Sequence, residues 1–187
     1  ALSDVFEPGS TMKPCTVAAA LDAGVIKADS VIDTSPGYFR LGAAQVKDSK
    51  NLGLIDVGTV LSRSSNVGAS KIALGLEKRD LWQVMDDLGF GSSAQTGFPG
   101  EVAGQLSDFR RWAQIDQATL SFGYGISVTT LQLAQAYATL ANDGVQVPIT
   151  VEAVMPTHMP GAHNGNGGPM QMVVSHNGGQ YSAKVYM

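Results

Sequence analysis

Apolar positions along the chain fall into helical stripes separated by glycine-rich turns. The first stripe is alanine-rich. Residues 16–23 carry Val17 and Leu21 on one side and stop at Gly24, a residue suited to the left-handed position after a helix. Residues 25–54 are turn-rich, with Ser35-Pro36-Gly37, Gly42 and Gly53, and predict one short strand or extended stretch over 38–46. Helical spacing returns at Asp56. Val57, Val60 and Leu61 make a short amphipathic segment ending near Arg63, and Val67, Ile72 and Leu76 mark a second helix after Asn66. Leu81, Val84, Met85 and Leu88 mark a third, closed by Gly89-Phe90-Gly91. Two more helices are predicted over 112–120 and 129–141. The latter has Thr129 as N-cap and Leu131, Leu133, Ala134, Tyr137, Ala138 and Ala141 as its core side.

The stretch just ahead of the first helix, Glu7-Pro8-Gly9-Ser10-Thr11-Met12-Lys13-Pro14, carries candidate chemistry. Gly9 allows a sharp entry, and Pro14 is tolerated because a first-turn N–H has no helical partner to lose. Positions i and i+3 share a helix face, so the Lys13 amine can lie beside the Ser10 hydroxyl. A serine hydroxyl is a weak nucleophile at neutral pH and needs a neighbouring base. Lysine serves when desolvation lowers its pKa, and a helix N-terminus favours negative charge developing on a bound carbonyl oxygen. S-x-x-K is a short pattern, but it occurs once here, behind Pro-Gly and at a helix start. A second candidate pair is Ser64 and Asn66, at a helix-to-helix corner. There a hydroxyl can relay a proton and an amide can hold a substrate carbonyl or amine. S-x-N recurs at Ser49 and Ser175, and Asn66 also reads as an N-cap for the next helix.

Composition narrows the classes. With 187 residues, 44% of them hydrophobic, the chain can bury one core, and one domain is the natural count. A net charge of −4 leaves no footprint for nucleic acid or an anionic membrane. The single cysteine, Cys15, excludes an internal disulfide and reads as a small buried residue of the nucleophile helix. No apolar run reaches the length of a membrane span. The chain opens directly onto the Ser10 turn, which leads us to expect a fragment. Residues 152–187 form a distinct tail with all three histidines (His158, His163, His176) and a Gly/Asn-rich run over 161–168. The histidines lack regular ligand spacing, so a surface connection is expected and no metal or other cofactor. A short helix is predicted at 170–174.

Three runs, PGSTMKP, SRSSNVGASKIA and LSFGYGISVTTLQLAQAYATLANDG, come in an order that closely resembles the transpeptidase domain of class B penicillin-binding proteins, especially the FtsI-like, division-specific branch. The resemblance covers residues 4–149. It implies an α+β fold of the penicillin-recognising serine transpeptidase and β-lactamase type, with this chain holding mostly the helical part and lacking much of the antiparallel sheet. Its motifs are S-x-x-K, S-x-N and K-T-G. Carried over, Ser10 would be the acylated nucleophile, Lys13 its base, and Ser64 and Asn66 the second motif. Gly123 and Tyr124, in Ser121-Phe122-Gly123-Tyr124-Gly125, would border the substrate; the plainer reading of that run is a tight packing turn. The implied substrates are peptidoglycan stem peptides ending in D-Ala-D-Ala, and β-lactams that imitate them. The resemblance also implies division-complex membrane proteins as partners and a place on the periplasmic face of the cytoplasmic membrane, anchored by a segment outside this chain.

One departure matters. None of the seven lysines opens a K-T-G or K-S-G triplet, and no H-T-G occurs. The run from Gly178 to Met187 resembles the approach to the strand that bears it. Loss of one oxyanion donor costs roughly two to three orders of magnitude in rate, so the isolated chain is expected to be nearly inactive. Two other functions stay open: a serine β-lactamase or β-lactam sensor, for which Glu101 is the candidate acidic residue, and a non-catalytic module of the cell wall or division apparatus in which Ser10 is a helix cap.

Overall fold

A 3-10 turn, Gly9–Met12, runs without a break into helix α1, Lys13–Asp22, so the helical path begins a full turn before the alanine-rich stripe. The computed structural model describes residues 2–146, together with the backbone alone of Ile149–Glu152, Met170–His176 and Gly179–Val185. α1 is a central rod. Met12, Lys13, Cys15, Thr16, Val17, Ala19 and Ala20 are all buried, and the small side chains among them allow neighbouring helices close approach. Leu21, expected on the packing stripe, is 42% exposed. The helix ends as expected, with Gly24 at φ +68°.

Three helices follow around this rod. α2, Val57–Ser62, is capped by Asp56, whose Oδ1 accepts from the Thr59 N–H at 2.6 Å. α3, Asn66–Leu74, and α4, Lys78–Asp87, both pack on α1. Val60, Ile72, Leu76, Leu81, Met85, Leu88 and Phe90 join Met12 and Cys15 in one core. The predicted apolar positions of these helices are therefore the packed ones, except that Leu61 stays 36% exposed.

The turn-rich region is more ordered than its sequence suggested. β1, Val31–Asp33, pairs antiparallel with β4, Leu54–Asp56. The expected single strand over 38–46 is a hairpin of β2, Tyr38–Leu41, and β3, Ala44–Lys47, because Gly42 takes φ +60° and reverses the chain. The hairpin docks through Val46, which is 3% exposed and packs with Val67, Ala118 and Phe122. Burial of that one side chain contributes roughly 1.5–3 kcal/mol and sets where the chain leaves β3.

α5, Gln114–Leu120, starts later than expected because residues Phe109–Arg111 form a 3-10 turn that Trp112 closes. α6, Thr130–Ala141, has Thr129 as its N-cap, as predicted. Its core side is rotated from the expected one: Leu131, Gln132, Gln135, Ala136 and Thr139 are buried, while Ala134, Tyr137 and Ala141 face out. The reason is polar. Gln132 Nε2 donates to the carbonyls of Gly89 (3.2 Å), Ser92 (2.7 Å) and Ala103 (2.7 Å), tying down the loop that follows α4.

A three-stranded antiparallel sheet closes the order: β5, Ile149–Glu152, then β6, Met170–His176, then β7, Gly179–Val185. The helix predicted at 170–174 is thus a strand. Val173 and Val174 favour extended backbone, and β6 pairs along its whole length with β7. The architecture is α+β, mainly helical with a small sheet, as expected. His158, His163 and the 161–168 run lie outside the described residues. Among the described residues, no helix is long and apolar enough to cross a membrane, and no group of three or more His, Cys, Asp or Glu could hold a metal ion.

Candidate active site

Ser10 sits in the 3-10 turn, exposed toward a cleft of about 480 Å³ that it lines with Asp48, Ser49, Lys50, Leu52, Ser62, Arg63, Ser64 and Asn66. Lys13, one turn on, points to the same spot while being 1% exposed. Its Nζ donates to Ser10 Oγ at 2.9 Å, to Ser64 Oγ at 2.8 Å and to the Ser64 carbonyl at 2.7 Å. Ser64 Oγ in turn donates to Ser10 Oγ at 2.9 Å. The three predicted polar groups thus form a closed triangle, each within proton-transfer reach of the other two.

Burial pushes the Lys13 amine down from its usual 10.5 to about 8, and the Asp48 carboxylate pulls the other way. The change is large for a base. At pH 7.4 a lysine of pKa 8 is neutral in roughly one molecule in five, against about one in a thousand at 10.5.

Ser64 reaches the triangle through its backbone. It has φ +54°, the left-handed region. Its N–H donates to the Leu61 carbonyl at 3.0 Å and the Ser65 N–H to the Val60 carbonyl at 2.9 Å. These two bonds make a Schellman motif ending α2, with Ser64 in the position that glycine usually holds. Both oxygens of Ser64 consequently turn toward Lys13. The next residue, Ser65, is the N-cap of α3, its Oγ accepting from the Gly68 N–H at 2.8 Å. The cap is therefore not Asn66, which is the first residue of α3. Asn66 lines the cleft, and its Nδ2 donates to the Lys47 carbonyl at 3.3 Å.

The FGYG run lies under the nucleophile turn. The Gly9 N–H donates to the Gly123 carbonyl at 3.1 Å, and a Cβ on Gly123 would lie 2.1 Å from the Gly9 carbonyl oxygen. Glu7 Oε1 also accepts from the Gly125 N–H at 3.0 Å. Gly123 thus lets two backbones touch beneath Ser10. Tyr124 is 51% exposed, its ring edge-on to Phe122 with 5.6 Å between centroids. Neither residue lines the Ser10 cleft.

The remaining candidates are occupied elsewhere. Burial raises Glu101, but hydrogen bonds from Ser93 and Thr96 outweigh it and hold its carboxyl below the usual range. Both its oxygens organise the 93–101 loop, away from the cleft. Cys15 is fully buried, which pushes its thiol up to about 12 and makes it inert, as its place in the helix suggested. Asp48 is the residue that the sequence reading missed. Its Oδ1 accepts from the Asn66 and Val67 N–H groups at 2.6 and 3.0 Å, and its Oδ2 from the Ser65 hydroxyl at 2.6 Å.

Known proteins carry the same arrangement of sequence and fold. The chain is 43% identical over 152 residues to a probable peptidoglycan D,D-transpeptidase PenA of Neisseria flavescens, covering 81% of this chain and 38% of that protein. It is 41% identical over 155 residues to the peptidoglycan D,D-transpeptidase FtsI of Escherichia coli K12, covering 83% of this chain and 26% of that one. It therefore spans well under half the length of these curated relatives. Among solved structures, the transpeptidase domain of Burkholderia pseudomallei penicillin-binding protein 3 superposes with a TM-score of 0.79 at 41% identity, over 84% of this chain and 47% of that one. The model of the family described as penicillin binding protein transpeptidase domain matches residues 1–176, and with the Ser10–Lys13–Ser64 triangle in place the chain belongs to that family.

Proposed function

We propose that this chain is the nucleophile-bearing part of a peptidoglycan D,D-transpeptidase, which cross-links stem peptides through an ester on Ser10 and is acylated there by β-lactams. The observation that carries the reading is the triangle of Ser10 Oγ, Lys13 Nζ and Ser64 Oγ at 2.8–2.9 Å. Neutral Lys13 takes the Ser10 proton as Oγ attacks the carbonyl between two D-alanines, and the carbonyl electron pair moves onto oxygen. On collapse the C–N bond breaks. Ser64 passes the proton from Lys13 to the departing D-alanine amine. The amine of a second stem then attacks the ester, a cross-link forms, and its proton returns by way of Lys13 to Ser10.

Asn66, on the same cleft, would hold the donor amide; Tyr124 and Gly123 lie outside that cleft and would bear on the bound stem only through the turn that carries Ser10. In a β-lactam the leaving nitrogen stays tethered in the opened ring, so the ester persists. The reading extends to work outside the cytoplasmic membrane, where peptidoglycan lies, and, as the sequence resemblance to the FtsI-like branch implies, to division-complex membrane proteins as neighbours. The test is mass spectrometry of the full-length protein incubated with benzylpenicillin. We expect one adduct, on the peptide carrying Ser10, absent from Ser10→Ala. No adduct, or an adduct on another residue, would overturn the reading.

A further inference from the structure

Ser64 is held in an unfavourable backbone conformation by the Schellman bonds that end α2 and by its hydroxyl contacts with Lys13 and Ser10. A further hold comes from two residues far away in sequence, where the chain leaves β3. The Lys47 carbonyl accepts from the Asn66 side-chain amide. Next to it, Asp48 takes three hydrogen bonds from three consecutive residues: the Ser65 hydroxyl and the Asn66 and Val67 N–H groups. The carboxylate also lies at the N-terminal end of α3, where the exposed N–H groups favour an anion. β3 itself is anchored by Val46 in the core, so the clamp has a fixed base.

We propose that Asp48 is a positioning residue for acyl transfer. By fastening the start of α3 to the docked hairpin, it fixes the α2–α3 corner so that Ser64 presents both its oxygens to Lys13. The proposal rests on the transpeptidase reading above. Asp48 acts through Ser64 and Asn66 and touches no reacting atom. Its negative charge has a second effect, opposing the burial that lowers Lys13. The other charged side chains on the cleft are Lys50, from the same loop, and Arg63, from the end of α2. α6 brings the Tyr137 phenol, which donates to the Thr11 carbonyl, and α1 brings the buried Cys15 thiol.

The test uses the full-length protein with Asp48→Asn and Asp48→Glu, following acylation by benzylpenicillin from pH 6 to 10 alongside a thermal melt. Asn is nearly the same size but cannot accept the Ser65 proton at its amide nitrogen. It should acylate at least tenfold more slowly at saturating drug, with the alkaline-rising limb moved to lower pH because Lys13 has lost its anion. Asp48→Glu keeps the charge and should return the limb to the wild-type position while remaining slower. Wild-type rates in both variants would overturn the proposal. So would a slower Asp48→Asn whose limb has not moved and whose loss matches its unfolded fraction, since that is a purely structural role. Absence of any ester on the wild-type protein is a different failure: it removes the transpeptidase reading and this proposal with it.

Discussion

Replacing Gly123 by alanine tests whether the close approach beneath Ser10 matters. The added Cβ would meet the Gly9 oxygen at 2.1 Å, its nitrogen at 2.4 Å and its carbonyl carbon at 2.7 Å. Ordinary contact begins near about 3.5 Å, so the two backbones must part by roughly 1 Å or more. All three obstructing atoms are main chain, and no rotamer change relieves them. Gly123 also sits at φ +84°, which costs a non-glycine residue about 1–3 kcal/mol. Parting the two turns stretches the 3.1 Å bond from Gly9 N–H to the Gly123 carbonyl, worth about 1 kcal/mol. Together these predict a loss of roughly 2–4 kcal/mol. Kinetically, Gly9 adjoins Ser10, and a 1 Å displacement of a reacting group costs on the order of a hundredfold. Thermal unfolding and the rate of acylation by a fluorescent penicillin, both on the full-length protein, measure the two effects. A melting temperature within a degree of wild type and a rate within twofold would refute this account of the FGYG turn.

Other predictions follow from the same geometry. Because the Lys13 base is the deprotonated form, the acylation rate should rise with pH and level off through a midpoint near 8; a midpoint near 10.5 would mean that burial does not act on this amine. Gln132→Leu strands the carbonyls of Gly89, Ser92 and Ala103. It should cost about 3 kcal/mol, or roughly 6–12 °C in melting temperature by differential scanning calorimetry. A chromogenic cephalosporin should give one equivalent of colour and then stall, and Glu101→Gln should leave that stall unchanged, since Ser93 and Thr96 already occupy the carboxylate. Continuous turnover that Glu101→Gln abolishes would favour a β-lactamase instead.

The parts of the site that were legible in the sequence are those set by local geometry. Ser10 and Lys13 are three apart on one helical path, so their contact follows from helix pitch. Ser64 and Asn66 were legible as a motif at a corner, but their division of labour was not. Ser65, with Gly68 three residues on, proved the better cap, and Asn66 was freed to face the cleft. Asp48 was invisible because its partners lie 17–19 residues on. Only the hairpin register and the burial of Val46 bring it to α3, and neither is written in a local pattern. Gln132 was hidden for a similar reason. Periodicity assigns the inward face of a helix to apolar residues, and here a buried amide recruits carbonyls from a loop some thirty to forty residues away. The sheet strand at Met170–His176 was misread as a helix because a short run of Met, Gln and Val suits either state until a partner strand pairs with it.

The left-handed backbone at Ser64 sets durability against chemistry at one position. Glycine there would relax the corner and make the folded chain hardier, yet it would remove the hydroxyl that bridges nucleophile and base. Asparagine would suit the dihedral angles and offer a poor proton conductor. A protein selected in the laboratory for heat resistance alone would therefore be drawn toward substitutions at this corner that leave it intact, well folded and chemically silent.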